Sequence, residues 1–164
     1  MRTNSILHFA ALLAVTACGA ERPETLSDAQ RRAVADSVAA AIRSYEGALS
    51  ALDVERILSF YAPDSQFRLI ENGEESSFEV FASHVRQAMP ALRRLDAGFD
   101  SIQPHVLSRD VVVMDAIGRS AFTDASGMVA RVRSTATMVW VRGPAGWRIA
   151  HFRGESGPDT SRTR

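Results

Sequence analysis

Two strand-like segments joined by a short turn dominate the C-terminal part of the chain. The first, 129–142, is rich in Val and Thr and contains no Gly or Pro, which is typical of a strand packed on a half-buried sheet. The Gly-Pro-Ala-Gly sequence at 143–146 cannot continue a strand and marks a chain reversal. The second segment, 147–153, places its large side chains two residues apart, namely Trp147, Ile149 and His151. The sequence therefore predicts a long antiparallel hairpin that the upstream residues must cover on one side.

The first half of the chain has a helical pattern. Ser27 and Gln30 have capping-box spacing at the start of a predicted helix over 28–51. Apolar residues then recur every three or four positions, at Val34, Val38, Ile42, Tyr45, Leu49 and Leu52. This spacing predicts one apolar stripe along a long helix.

Two shorter helices and two short strands are predicted next. Asp53 can cap a helix over 54–61, and apolar periodicity predicts a third helix over 78–95 that Pro90 should kink or break. Between these helices, residues 65–71 are predicted to form a strand. Asn72-Gly73 is a strong hairpin signal, followed by a brief return strand at 74–76.

From residue 97 onward the helical period is absent, and the turns instead separate strands. Strands are predicted at 99–107, interrupted by Pro104, and at 110–123, leading into the C-terminal hairpin. Three helices followed by sequentially joined antiparallel strands predict an α+β fold, with three N-terminal helices packed on one face of an antiparallel sheet.

Composition excludes some classes of function. The chain has 164 residues, of which 46% are hydrophobic, so a single domain with a substantial core is expected. Its 19 basic and 19 acidic residues give a formal net charge of zero, which argues against nucleic-acid binding. His84, His105 and His151 have no short ligand spacing, so neither a metal site nor a cofactor is predicted.

The N-terminus has the pattern of an export signal. An apolar run from Ile6 to Val15 is too short to span a bilayer and fits a signal-peptide core. Residues 13–18, Leu-Ala-Val-Thr-Ala-Cys, resemble the lipobox of bacterial lipoproteins. The resemblance implies removal of 1–17 and lipidation of Cys18, and so a protein anchored in the bacterial cell envelope, at the outer membrane or the periplasmic face. The alternative is an ordinary secretory signal cut near Ala20.

The remaining segments follow from this assignment. Residues 18–26 form a polar tether, 27–157 form the domain, and 158–164 form a polar tail that is expected to be disordered.

Two stretches resemble the nuclear transport factor 2-like superfamily, which includes SnoaL-like proteins and ketosteroid isomerases. Residues 51–64 resemble its second-helix signature, which ends Tyr-Ala-x-Asp, and 146–152 resemble its last strand, Trp-x-Ile-x-His-Phe. The resemblance covers 27–157. It implies a curved sheet wrapped around the long helix, giving a cone with a pocket at its open end.

The resemblance also implies where chemistry would lie. Tyr45 falls at the oxyanion-hole Tyr of the isomerases, although a plain core Tyr is the alternative. The position of the isomerase base is Leu69, and the second oxyanion donor falls near Met138. Leu69 cannot act as a base and Met138 cannot donate a hydrogen bond. The sequence therefore favours binding of a small apolar or mixed ligand without catalysis. The residues expected to bind it are Tyr45, Phe67, Met138, Trp140 and His151.

Two alternatives remain open on the sequence. A SnoaL-type cyclase, isomerase or dehydratase would use His151 and Asp115, whereas a purely structural domain would fill the pocket with its own side chains. His151 is expected on the concave face, either as a site residue or as a hydrogen-bonded core residue. Asp115 has an outward-facing alternative, paired with Arg119, Arg131 or Arg133. The resemblance further implies a homodimer formed through the outer, convex face of the sheet.

Overall fold

Three helices and a six-stranded sheet form the domain, which confirms the predicted α+β class. The computed structural model describes residues 25–64 and 67–160; the predicted signal sequence, Cys18 and most of the tether lie outside these ranges. The elements are α1 (Asp28–Ser50), α2 (Val54–Ser59), β1 (Arg68–Glu71), β2 (Glu74–Ser76), α3 (Phe78–Ala88), a 3-10 turn (Met89–Ala91), β3 (Leu92–Val106), β4 (Val111–Asp124), β5 (Val129–Gly143) and β6 (Gly146–Pro158).

Helix α1 begins with the predicted capping box. The Ser27 hydroxyl accepts from the Gln30 backbone N–H, and the Gln30 side chain accepts from the Ser27 backbone N–H at 2.8 Å. The buried residues of the helix recur at helical spacing, at Val34, Val38, Ile42 and Ala48. This stripe packs against the face of the sheet that we call the inner face; the opposite face is the outer face.

The sheet is mixed, not purely antiparallel as predicted. Its strand order is β2-β1-β6-β5-β4-β3, and β1 runs parallel to β6, with Arg68 opposite His151 and Glu71 opposite Gly154. A bridge between Tyr61 and Ile149, also parallel, extends this contact upstream. No hairpin joins β1 to β6, so the turn signals of the sequence could not reveal the pairing.

The third helix is broken before Pro90, as predicted, but the predicted continuation of the helix to residue 95 is wrong. Pro90 lacks an N–H and cannot continue α-helical hydrogen bonding, so the chain passes through the 3-10 turn into β3 at Leu92. Leu95 therefore belongs to a strand, where it is still buried. Pro104 does not interrupt β3, because β3 is an edge strand and one side of its backbone needs no partner.

A β-bulge in β6 reverses which side chains in the second half of that strand point to the inner and outer faces of the sheet. Trp140 lies opposite Ile149, but the next residue, Val139, lies opposite His151, so Ala150 is an extra residue in the ladder. Ile149 faces inward with Trp140, whereas His151 faces outward with Val139. The expected position of His151 on the concave, inner face is therefore wrong, since plain alternation along the strand does not hold across the bulge.

Candidate functional site

A cavity of about 370 Å³ lies between the inner face of the sheet and the helices. The second half of α1, helix α3, and β1 and β3–β6 all contribute to its wall. Most of the wall is apolar, and six aromatic side chains line it: Tyr45, Tyr61, Phe81, Phe99, Phe122 and Phe152. Apolar walls with a few polar groups are typical of small-molecule sites.

Two tyrosines provide hydroxyl groups in this wall, and we call them the tyrosine pair. The hydroxyls of Tyr45 and Tyr61 are hydrogen-bonded at 2.7 Å, and their rings meet edge to face with centroids 6.0 Å apart. Tyr61 also packs edge-on against Phe67, at 5.8 Å between centroids. These contacts hold both hydroxyls in place. One O–H donates to the other oxygen, so the accepting hydroxyl keeps its own proton for another partner.

Burial keeps the tyrosine pair protonated. Desolvation raises the pKa of Tyr45, although its hydrogen bond with Tyr61 partly opposes this effect. The pKa of Tyr61 is raised well above 10.0, mainly by burial and further by Tyr45. The negative charge of Glu71 adds to the rise in both pKa values. The pair is therefore a neutral hydrogen-bonding group at physiological pH.

Two carboxylates also belong to the polar part of the wall. Glu46 follows Tyr45 on α1, and its Oε1 accepts from the Phe99 backbone N–H at 3.0 Å. Glu71 ends β1, and its Oε1 accepts from the Ser156 hydroxyl at 3.0 Å. Glu71 was not predicted as a site residue from the sequence, although it lies two residues beyond Leu69 and so shares a face with it.

The structure separates the five residues that were predicted to bind a ligand. Tyr45 and Met138 line the cavity. Phe67 and Trp140 are 1% and 0% exposed and belong to the packed core rather than to the cavity wall. His151 faces the outer side of the sheet, and Phe152 takes the place on the cavity wall that was expected for it.

Asp115 also lies on the outer face, as its alternative interpretation had it. Its Oδ1 accepts from the Thr137 hydroxyl at 2.6 Å, and its Oδ2 lies 3.3 Å from Nε2 of His105. The partners expected from the sequence were arginines, but Arg119 instead contacts Asp100 at 2.9 Å. Asp115 lines a shallow groove on the outer face, separated from the cavity by the sheet.

Within 25–64 and 67–160, no group of three or more His, Cys, Asp or Glu side chains is placed to hold a metal ion. No helix in those ranges has the length and apolar character needed to cross a membrane.

Solved structures share this architecture, although comparisons with family models and with curated protein sequences give no match. A candidate scytalone dehydratase from Novosphingobium aromaticivorans superposes with a TM-score of 0.72 at 6% identity, covering 84% of this chain and 95% of that one. Hexachlorocyclohexane dehydrochlorinase LinA-type3 from Novosphingobium barchaimii gives 0.63 at 13% identity, covering 84% and 98%.

A nuclear transport factor 2-like superfamily protein from Salmonella enterica gives a TM-score of 0.63 at 14% identity, covering 81% of this chain and 94% of that one. These similarities show that the chain has the nuclear transport factor 2-like fold.

Proposed function

We propose that the domain binds a small, largely apolar molecule carrying an oxygen or nitrogen group, without transforming it chemically. The observation that supports this most directly is the tyrosine pair, a largely buried hydrogen-bonding group in a mostly apolar wall. The cavity volume of about 370 Å³ lies in the range of roughly 300–1,000 Å³ that is usual for small-molecule sites. Burial of the ligand's apolar part would supply affinity, and the hydroxyls would fix its orientation.

Native mass spectrometry of the protein extracted gently from its own membranes tests this proposal. We expect a bound molecule of constant mass, released on denaturation. Tyr61→Phe should lower its occupancy, because this substitution removes a hydroxyl but keeps the ring. Thr137→Val, which removes a hydroxyl on the outer face, is the matched control and should leave occupancy unchanged. Equal occupancy in both variants would show that the ligand is held elsewhere.

A second candidate function is an enzyme that moves a proton, and the placement of Glu71 favours it. A carboxylate and the remaining O–H of the neutral tyrosine pair in one cavity could act as base and oxyanion stabiliser. Two proteins of similar fold are described as a candidate dehydratase and a dehydrochlorinase. His151 and Asp115 would not take part in such a reaction inside the cavity, since both face outward.

Incubation of the extracted ligand with the protein in deuterated water separates the two functions. An enzyme of this kind would exchange a carbon-bound hydrogen or eliminate a group, and Glu71→Gln would stop the change. A ligand recovered with its mass and structure unchanged supports binding alone.

We further propose that lipidated Cys18 anchors this domain in a bacterial cell envelope, at the outer membrane or the periplasmic face. The lipobox-like sequence at 13–18 supports this, and only nine residues, 19–27, separate Cys18 from the start of α1. Cys18→Ser should release the protein into the soluble fraction or leave an unprocessed precursor. Normal processing and membrane retention in that variant would contradict the proposal.

Finally, we propose a homodimer formed through the outer face, as the fold resemblance implies. The outer groove supports it, because Asp115, Thr137 and Glu155 offer polar groups for pairing across a two-fold axis. Thr135→Glu, which places a second carboxylate opposite Glu155, should shift the sedimentation of the protein toward monomer. A wild-type protein that sediments only as monomer at micromolar concentration would refute the dimer.

A further inference from the structure

We infer that the cavity selects an organic cation, such as a small amine with an aromatic or aliphatic body, over a neutral molecule or a carboxylate. This inference rests on the proposed binding function and specifies the chemical class of its ligand. It follows from the charges of the wall, from the absence of a compensating cation among the described residues, and from the aromatic lining.

The cavity wall is acidic although the chain is neutral overall. The chain has equal numbers of acidic and basic residues, 19 of each. Within the described part of the chain, however, the charged residues that line the cavity are Glu46 and Glu71, and no Arg, Lys or His joins them. A ligand that enters therefore meets two formal negative charges and no positive one.

Neither carboxylate is neutralised by a neighbour in the described ranges. The hydrogen-bond donors to Glu46 and Glu71 are a backbone N–H and a serine hydroxyl, and both donors are uncharged. Each of these bonds uses Oε1 of the carboxylate. The arginines of β1 and α3 are instead paired elsewhere, Arg68 with Glu75 at 2.8 Å and Arg86 with Glu55 at 2.9 Å.

The aromatic wall also favours a cation. Ring faces carry partial negative charge and attract ammonium groups within about 6 Å of their centroids. Six aromatic side chains surround the cavity, and the tyrosine pair adds oxygen lone pairs that can accept from an N–H. Because the charge of Glu71 raises the pKa of both tyrosines, its electrostatic field reaches the hydroxyls. An ammonium group near the tyrosine pair would therefore interact with the hydroxyl oxygens and with the charge of Glu71.

A matched series of three probes tests the inference: α-naphthylmethylamine, α-naphthylmethanol and α-naphthoate. They share one apolar body and differ in charge at neutral pH. Calorimetric titration of the full chain in a neutral detergent measures each affinity. In the Ala97→Phe variant the added ring fills part of the cavity. The heat that remains in this variant measures partition of the probes into micelles. We expect the amine to bind about tenfold more tightly than the alcohol, since hydrogen bonds to ionised groups are roughly twice as strong as neutral ones, and the carboxylate to bind least.

Glu71→Gln and Glu155→Gln form the matched pair of variants. Both substitutions remove one exposed carboxylate where β1 pairs with β6, but only Glu71 lines the cavity, whereas Glu155 lines the outer groove. Glu71→Gln should weaken amine binding about fivefold and leave alcohol binding unchanged, whereas Glu155→Gln should change neither.

The possible outcomes separate the two proposals. If the alcohol or the carboxylate binds as tightly as the amine, cation selection is wrong and cavity binding stands. The same holds if Glu71→Gln leaves the amine affinity unchanged. If Ala97→Phe binds all three probes as the wild type does, both proposals fail.

Discussion

Removing the hydroxyls of the tyrosine pair, singly and together, gives the sharpest test of the cavity. Tyr45→Phe and Tyr61→Phe keep both rings and the edge-to-face packing between them, and each deletes one partner of the 2.7 Å hydrogen bond. The double variant removes the bond without leaving either hydroxyl unpaired. Comparison of the three variants therefore isolates the interaction between the two oxygens.

The expected magnitude follows from the position of the pair. A buried hydroxyl left without its partner costs about 1–3 kcal/mol of stability, because its desolvation is no longer offset. Tyr61 is only 4% exposed, but both side chains border a cavity that can hold water. Water would hydrate the remaining hydroxyl, so each single variant should lose about 1–1.5 kcal/mol, near the lower end of that range. The double variant should lose about the same amount as one single variant, which gives a coupling energy of about 1 kcal/mol.

Equilibrium unfolding in urea, followed by tryptophan fluorescence, measures these differences. Trp140 and Trp147 are both buried, so unfolding changes their surroundings. For a domain of this size, about 1 kcal/mol corresponds to a shift of roughly 4 °C in a thermal melt, which gives an independent check. If the two single losses add in the double variant to within about 0.3 kcal/mol, the hydroxyls do not interact and the geometry described for the pair is incorrect.

Three other substitutions or conditions test separate parts of the structure. Gly154→Ala should destabilise the domain by about 1–3 kcal/mol, because a Cβ there would lie 2.9 Å from a neighbouring carbonyl oxygen, whereas Gly157→Ala meets nothing within 4 Å; equal melting temperatures for the two variants would contradict this. Stability should fall as pH rises above about 10, since unfolded tyrosines then ionise while Tyr61 stays protonated in the fold, and Tyr61→Phe should weaken that dependence in urea titrations at several pH values. Ser27→Ala should cost about 1 kcal/mol through loss of the helix cap, and circular dichroism melts showing no loss would refute the role of the cap.

The sequence predicted the elements whose signals are local. The capping box at Ser27, the apolar stripe of α1 and the 143–146 reversal each depend on residues close together in the chain, and each is present in the structure. The predictions were wrong where the structure depends on contacts between residues far apart in the chain or on an irregularity within an element. The break at Pro90 was predicted, but the continuation of a helix to residue 95 was wrong, because the apolar spacing runs on into a strand.

The candidate site was only partly predictable for the same reason. Tyr45 was predicted because helical periodicity places it on the α1 stripe and the resemblance aligns it with the oxyanion-hole Tyr of the isomerases. Glu46 is the next residue, about 100° around the helix, and only the packing of β3 shows that it also reaches the cavity. The position of Glu71 beside the cavity depends on the parallel pairing of β1 with β6, which no turn in the sequence indicates. His151 was misplaced because a single extra residue in a strand leaves no mark in the hydrophobic pattern.

The bulge at Ala150 makes the lining of the cavity depend on the register between β5 and β6 rather than on the identity of any side chain. Ala150 shifts the alternation of everything after it in β6, so Phe152 faces the cavity while Arg153 lines the outer groove. Deleting Ala150 would remove the bulge but leave His151 opposite Val139 and Phe152 opposite Met138, so the cavity lining would not change. If Ala150 instead paired with Val139 in a regular ladder, His151 and Arg153 would turn toward the ligand and Phe152 would turn away. Loss of the bulge with Ala150 retained would therefore change an acidic, aromatic cavity into one with basic side chains, while the sequence of the chain stays the same.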